Sequence, residues 1–227
     1  MGNKAKNVIV WLCLLIVMMT TGYGAIAKGD PDVAELSIFS SPNGPHAFIT
    51  IKNISNKDLS IGLLSDISPR VTISIGTWSS VDPTSSQTSS ASFSGSSSRS
   101  IHTGIIYNYE AYLINYTEQM NERYSLTVTI TQSQLDEINN IIRNYDKWNL
   151  INNCTVFASK VWNSVISNKK HHLSPGILGI NTPKALIKSI EKRQKDNYGY
   201  AYNKEVPYDY GLYHGNGKKA PVKFKIE

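Results

Sequence analysis

Two patterns of apolar residues divide the chain. From Glu35 to Ile130, short runs either alternate apolar and polar residues or are rich in β-branched residues, and Gly, Pro, Asn, Asp and Ser separate them. This pattern is typical of β-strands joined by turns. The predicted strands are Glu35–Ser40, His46–Asn53, Leu59–Leu64, Val71–Gly76, Thr103–Tyr107 and Ser125–Ile130. The first half of the chain is therefore expected to form an antiparallel sheet of five to six strands.

After Thr131 the apolar residues recur at helical spacing. Thr131 and Gln134 have the spacing of a capping box, and the apolar positions that follow predict a helix over 132–146. Asn152 and Asn153 are good N-cap residues for a second helix, which would carry Cys154 in its first turn. These features make the chain an α+β protein in which the helices follow the strands.

A third helix is predicted to begin where Thr182 precedes Pro183, because proline is favoured at the first position of a helix. Two segments lack a regular pattern. In 79–100, 14 of the 22 residues are Ser or Thr, which is too polar to pack and predicts a surface loop between two strands. The tail, 195–227, is rich in Tyr and Lys and is expected to cover the core or to line a substrate groove.

The amino-terminal segment has the layout of a secretory signal peptide. Lys4 and Lys6 precede an apolar run over Val8–Met19, and Ala25-Ile26-Ala27 follows as a small-x-small site. The run is shorter than a membrane-spanning helix requires. We therefore expect a signal peptide over 1–27, a single domain over 28–227, no transmembrane domain after cleavage, and a secreted or envelope-associated protein.

Cleavage would remove Cys13 and leave Cys154 as the only thiol. An unpaired cysteine in a secreted protein is open to oxidation, so it is expected to be either a buried small residue or a nucleophile. A position in the first turn of a helix favours the thiolate, because the helix dipole and free N–H groups stabilise negative charge there. A nucleophilic cysteine also requires a base, which is usually histidine.

His46 is the best placed of the five histidines, because it opens a strongly β-forming run directly after a Gly-Pro turn. Its ring is expected at one end of the sheet. His171 and His172 lie at the far end of the cysteine's own helix, about 25 Å from Cys154 at 1.5 Å per residue. The two remaining histidines are His102, beside the Ser-rich segment, and His214, in the tail.

The segments Gly44-Pro45-His46-Ala47-Phe48-Ile49 and Asn153-Cys154-Thr155-Val156-Phe157-Ala158 together resemble the circularly permuted branch of the papain-like superfamily. This branch includes NlpC-type cell-wall peptidases, lecithin:retinol acyltransferase-like enzymes and bacterial lipoprotein acyltransferase domains. In it, the histidine strand precedes the cysteine helix. The resemblance covers roughly Pro42 to Ile190 and implies a permuted papain-like fold, with Cys154 as nucleophile and His46 as general base.

The resemblance also implies a third, polar member of the site, which the sequence leaves open. The strand after the histidine strand offers several candidates, and three further residues lie outside it. The candidates are Ser60, Ser65, Asp66, Thr72 and Ser74, and then Asn53, Asn108 and Glu110. The backbone N–H of Cys154 and the side chain of Asn152 or Asn153 are candidate donors to an oxyanion, although either Asn is equally suited to capping the helix.

These observations favour a secreted cysteine-dependent amidase or peptidase that forms a thioester, with the peptide of peptidoglycan as a candidate substrate. The alternatives are a non-catalytic envelope or binding protein of the same fold and a thiol acyltransferase. The net charge of +6 suits anionic envelope polymers, but it forms no compact basic stripe, which argues against nucleic acid. No metal or cofactor is expected, because the motifs of nucleotide hydrolases, zinc proteases and serine esterases are missing from the sequence.

Overall fold

A computed structural model of the chain describes residues 30–81, 102–177 and 180–224. The predicted signal peptide lies outside the described residues, as does the part of the Ser-rich segment beyond Val81. Within the described ranges, no helix has the length and apolar character needed to cross a membrane.

The first half of the chain contributes seven strands. They are β1 (Asp32–Ser41), β2 (His46–Asn53), β3 (Leu59–Ile61), β4 (Leu64–Ile67), β5 (Thr72–Val81), β6 (His102–Tyr107) and β7 (Tyr124–Thr131). The predicted strand Leu59–Leu64 is instead a hairpin, because Gly62 has a φ of +63° and turns the chain between β3 and β4.

The remaining elements are four helices, the first of which precedes β7, and five short strands. In chain order, the described residues hold α1 (Tyr109–Tyr116), α2 (Gln132–Asn144), α3 (Cys154–Val165), β8 (Gly176–Ile177), β9 (Ile180–Asn181), α4 (Pro183–Glu191), β10 (Ala201–Tyr202), β11 (Leu212–His214) and β12 (Val222–Phe224). A single 3₁₀ turn over Lys169–His171 follows α3.

The main sheet is antiparallel and has eight strands in the order β10-β7-β1-β2-β5-β6-β11-β12. The α+β class and the antiparallel sheet are confirmed. The expected five to six strands were too few, because three short strands from the tail extend both edges of the sheet. The tail therefore has more regular structure than the sequence pattern indicates.

The three predicted helix starts are confirmed by their caps. Thr131 and Gln134 form both hydrogen bonds of the capping box at α2, which ends at Asn144 rather than at 146. Asn153 caps α3, and Thr182 caps α4 with Pro183 in its first turn. The expectation of three helices was wrong by one: α1 is the unpredicted fourth helix of the described residues, and its apolar residues show no amphipathic pattern.

The two faces of the main sheet carry separate cores. Helices α2, α3 and α4 pack their apolar stripes on one face, against aliphatic residues such as Leu36, Ile49 and Ile75. The opposite face holds a smaller, aromatic-rich core that includes Phe39, Phe48 and residues of α1. Alternation along each strand separates the two cores, since neighbouring residues point to opposite faces.

Candidate active site

His46 is positioned by the tight connection between β1 and β2. It is the first residue of β2 and pairs with Ser41, the last residue of β1. The turn between them contains Gly44, whose φ of +67° is a backbone conformation that glycine adopts without strain. The side chain is buried, with 4% of the residue exposed. The hairpin thus holds the ring at the end of the sheet, as the sequence predicts.

Cys154 is the first residue of α3. The Asn153 side chain accepts hydrogen bonds from the backbone N–H groups of Thr155 and Val156, at 3.1 and 3.2 Å, and so defines where the helix begins. Because α3 packs on β2, this start brings the thiol to the beginning of that strand. The sulfur accepts hydrogen bonds from the His46 side chain and from the backbone N–H of Ala47.

Glu110 is the third member of this cluster. Its Oε1 lies 3.0 Å from His46 Nε2, which leaves Nδ1 of the ring to face Cys154. The residue is completely buried, and the Ser74 hydroxyl donates to its Oε2 at 3.0 Å. Glu110 also lies in the first turn of α1, where the helix dipole favours a carboxylate. The sequence named Glu110 only among the outside candidates, because α1 was not predicted.

Trp78 covers the histidine. The indole ring stacks on His46 with ring centroids 3.9 Å apart and planes tilted by 26°. Its Nε1–H donates to Glu110 Oε1 at 2.8 Å. One side chain therefore restrains both the orientation of the imidazole and the position of the carboxylate.

Gly76 provides the space in which His46 and Glu110 meet. A Cβ at this position would lie 1.9 Å from Glu110 Oε1 and 2.7 Å from His46 Nε2. No side chain larger than hydrogen fits without displacing the pair. Glycine is unfavourable within a strand, and one reason for its presence there is the close approach of another group. That signal was visible in the sequence, but it did not reveal which group approaches.

The electrostatics of the cluster favour an ion pair between sulfur and imidazole. Burial alone would lower the pKa of His46, but the Cys154 thiolate and the Glu110 carboxylate outweigh it and raise that pKa to about 9. Burial alone would raise the pKa of the Cys154 thiol, whereas His46, the Ala47 N–H and the Thr155 hydroxyl together lower it. Both shifts act in the same sense: they favour the thiolate of Cys154 and the charged form of His46.

The arrangement has the parts required for acyl transfer by a thiol. A nucleophile contacts a base, and a carboxylate orients that base. The N–H groups of Thr155 and Val156 are occupied by the helix cap, whereas the N–H of Cys154 is the first of the helix and has no partner within it. That N–H is placed to donate to an oxyanion formed beside the sulfur.

The other predicted donors do not join the cluster in this way. Asn153 uses both ends of its amide, because its oxygen caps α3 and its Nδ2 donates to the Asn181 carbonyl at 3.0 Å. Asn152 is exposed, and its backbone N–H donates to Asn149 Oδ1. Asn53 lies at the opposite end of β2, where it hydrogen-bonds a turn. Asn153 therefore positions the helix that carries the thiol, and Asn53 does not reach the thiol.

The remaining candidates for the third member fall into two groups. Ser74 and Asn108 support Glu110 indirectly, since Ser74 donates to the carboxylate and the Asn108 side chain accepts from the Ser74 N–H at 2.9 Å. The others lie away from the cluster. Ser60, Ser65 and Asp66 are exposed on the β3–β4 hairpin, and Thr72, the first residue of β5, pairs with Lys52 near the end of β2 that is opposite His46.

Two other histidines form contacts elsewhere. His171 Nδ1 lies 2.9 Å from the Tyr198 hydroxyl, and His172 Nε2 lies 2.8 Å from the Ile166 carbonyl. Neither contact involves the thiol. Both histidines lie beyond α3, which ends at Val165, and not at the end of that helix as expected. Over the described ranges, no group of three or more His, Cys, Asp or Glu side chains is arranged to hold a metal ion.

Comparison with protein-family models, with curated proteins and with solved structures gave no match for this chain.

Proposed function

We propose that this protein is a secreted cysteine-dependent amide hydrolase that acts through a thioester on Cys154. The observation that carries this proposal is the contact of a helix-start cysteine with His46, whose other ring nitrogen binds the buried Glu110 carboxylate at 3.0 Å. A cysteine whose only role is to fill space does not require a lowered pKa or an oriented imidazole.

In the first half of the reaction, Sγ of Cys154 attacks the carbonyl carbon of the substrate amide and a C–S bond forms. The carbonyl π electrons move to oxygen, and the Cys154 N–H donates to the resulting oxyanion. The C–N bond then breaks as His46 Nδ1 gives its proton to the leaving amine. A thioester and a neutral imidazole remain.

In the second half, His46 Nδ1 takes a proton from water as that water attacks the thioester carbonyl. The C–S bond breaks, the sulfur leaves as the thiolate, and the product leaves as a carboxylic acid that releases its proton to solvent. The thiolate and imidazolium pair is restored. Glu110 does not exchange a proton in this scheme: it orients the ring and stabilises its charged form.

The permuted papain-like fold belongs to the same proposal. It is supported by the order of the elements, in which the histidine strand β2 precedes the cysteine helix α3, and by the packing of α3 on an antiparallel sheet. The signal-peptide layout of residues 1–27 supports export, and exported amidases meet the peptide of peptidoglycan. That peptide is the substrate we propose to test first.

The pH dependence of Cys154 alkylation by iodoacetamide tests the site directly. We expect reaction near neutral pH in the native protein, and an upward shift of the apparent pKa in His46→Ala. His171→Ala is the matched control, because this histidine contacts Tyr198 and not the thiol. A thiol that reacts only after unfolding, or that reacts identically in all three proteins, would contradict the proposal.

Turnover is tested with purified muropeptides followed by mass spectrometry. We expect hydrolysis of an amide bond by the wild-type protein and none by Cys154→Ala, with the same melting temperature for both. Transfer of the acyl group to an added amine or alcohol in place of water would identify an acyltransferase. A reactive thiol that cleaves no acyl compound would leave the non-catalytic alternative.

A further inference from the structure

Two adjoining clefts open where the end of α2 meets the tail. One, of about 540 Å³, is lined by residues 143, 144, 146, 147 and 214–218, and the other, of about 420 Å³, extends from it to the β3–β4 hairpin. Arg143 and Lys218 line both clefts, and Lys147 lines the larger one. We call these three residues the cationic cleft set.

The three side chains of this set are exposed, and within the described part of the chain none of them forms a hydrogen bond or an ion pair. Among the lining residues that the structure describes, Asp146 is the single acidic one. Its Oδ1 accepts the Ile105 N–H at 3.1 Å, and its Oδ2 accepts the Gly217 N–H. The carboxylate thus holds the two loops together, and its cationic neighbours are left to bind an anion from outside.

The larger cleft and the thiol are joined by a row of residues that pair across adjacent strands of the main sheet. Ile49 pairs with Ile75, so stepping two residues along both strands brings Ala47, which donates to Cys154, opposite Thr77. Thr77 pairs with Ile105, and the Gly215 N–H donates to the Ile105 carbonyl. The line from Ala47 to Gly215 crosses three strand spacings, or about 14 Å.

The same cleft is connected to the cysteine helix through packing. Tyr145, between Arg143 and Lys147, contacts the ring of Phe157 with centroids 5.3 Å apart. Phe157 lies one turn after Cys154 in α3. The end of α2 and the start of α3 therefore belong to one packed region on the same face of the sheet.

We propose that the cationic cleft set binds a carboxylate of the peptide substrate, and that the enzyme prefers acidic peptides. An extended peptide advances about 3.4 Å per residue, so the line of about 14 Å from Ala47 to Gly215 has the length of about four peptide residues, and we place the carboxylate about that far from the scissile amide. Arg and Lys recognise carboxylates through charge-assisted hydrogen bonds. This inference rests on the proposed function, since it describes the substrate of the Cys154 site.

The probes are matched pentapeptides, blocked at both ends and otherwise made of alanine, with Glu or Gln at the first or last position. They are titrated calorimetrically into Cys154→Ala, which cannot cleave them. We expect at least one Glu peptide to bind about tenfold more tightly than its Gln partner, in keeping with charge-assisted hydrogen bonds to the cleft. The preference should weaken as salt is raised.

The residue-level test repeats the titration in the double variant Arg143→Gln and Lys147→Gln, each built on Cys154→Ala. We expect the preference for Glu to be lost there and to survive in Lys188→Gln, an exposed lysine on α4. Equal binding of Glu and Gln peptides, or a preference that survives in the double variant, would overturn the inference. Alkylation of Cys154 in the wild-type protein reports separately on the proposed function, so the two failures are distinguishable.

Discussion

The two ends of strand β2 each bury a polar residue, and their surroundings differ in kind. At one end, Asn53 is completely buried, and its amide hydrogen-bonds the carbonyls of Lys57 and Ile67 and both donors of Ser55. At the other end, His46 contacts two titratable side chains, Cys154 and Glu110. About 23 Å of strand separates the two residues.

The difference shows how a buried polar residue that stabilises the fold is distinguished from one that belongs to the candidate active site. Every contact of the Asn53 amide is with the turn or hairpin that follows β2, and none of these groups changes its charge near neutral pH. The contacts of His46 change its charge: they raise the pKa of the ring to about 9 and lower the pKa of the thiol. Burial does not distinguish Asn53 from His46, because both are buried. They are distinguished by their partners, since only the partners of His46 can gain or lose a proton.

The largest loss of turnover is expected from Gly76→Ala. The new Cβ would collide with the Glu110 carboxylate and with His46 Nε2, and the carboxylate is held by three hydrogen bonds. We expect turnover to fall by about 10²- to 10⁴-fold, the range that a general acid–base group contributes. Steady-state kinetics measure the loss, and Gly199→Ala, whose Cβ would come nearest to Thr127, is the control. Unchanged turnover would show that the pair is not needed.

Glu110→Gln should have the next largest effect. The amide keeps the shape of the side chain but removes the negative charge that supports the charged imidazole. We expect the apparent pKa of Cys154 to rise and its alkylation at pH 6 to slow by about tenfold for each unit of that rise. Glu118→Gln, at an exposed position, is the control. An identical alkylation profile in both variants would exclude an electrostatic role for Glu110.

The pH dependence of turnover follows from the direction of the two pKa shifts. The raised pKa means that the charged His46 stabilises the fold fully below the ordinary value of 6.5, and that this contribution is lost as the pH rises through about 9. The same proton is required by the leaving amine. We therefore expect kcat/KM to decline by about tenfold per unit above pH 9, while alkylation of the thiolate continues. Turnover that keeps rising with the alkylation rate would contradict this role for His46.

A smaller effect is expected from Trp78→Phe. Phenylalanine keeps an aromatic ring over His46 but removes the hydrogen bond from Nε1 to Glu110. We expect turnover to decrease by about tenfold, the equivalent of one hydrogen bond to a charged group. The pH profile is the decisive readout, because a role in packing alone would lower stability without moving the apparent pKa values.

Asn53→Ala should leave the reactivity of Cys154 unchanged. The substitution removes four hydrogen bonds at a completely buried position, and we expect a loss of about 1–3 kcal/mol in the free energy of unfolding. Urea denaturation measures this loss against Asn140→Ala, an exposed position on α2. A slower alkylation of Cys154 in the folded variant would erase the contrast between the two ends of β2.

The sequence predicted the parts of the site that depend on neighbours in the chain. The Asn153 cap places Cys154 at the start of α3, and the turn before His46 places that residue at the start of β2. Glu110 was harder to identify, because α1 lacks an amphipathic pattern and follows β6 with Asn108 in a left-handed conformation. Trp78 and Gly76 were not identified, because their roles depend on what lies opposite them.

By itself, the sequence determined the α+β class, the caps of the three predicted helices and a cysteine in the first turn of one of them. Each of these features is set by interactions within a few residues, such as a side chain that satisfies a free N–H. The tertiary structure alone decided that Glu110 binds His46, that Trp78 covers the pair and that Gly76 leaves room for it. These contacts join residues that are 30 or more positions apart, and the pairing register of several strands brings them together.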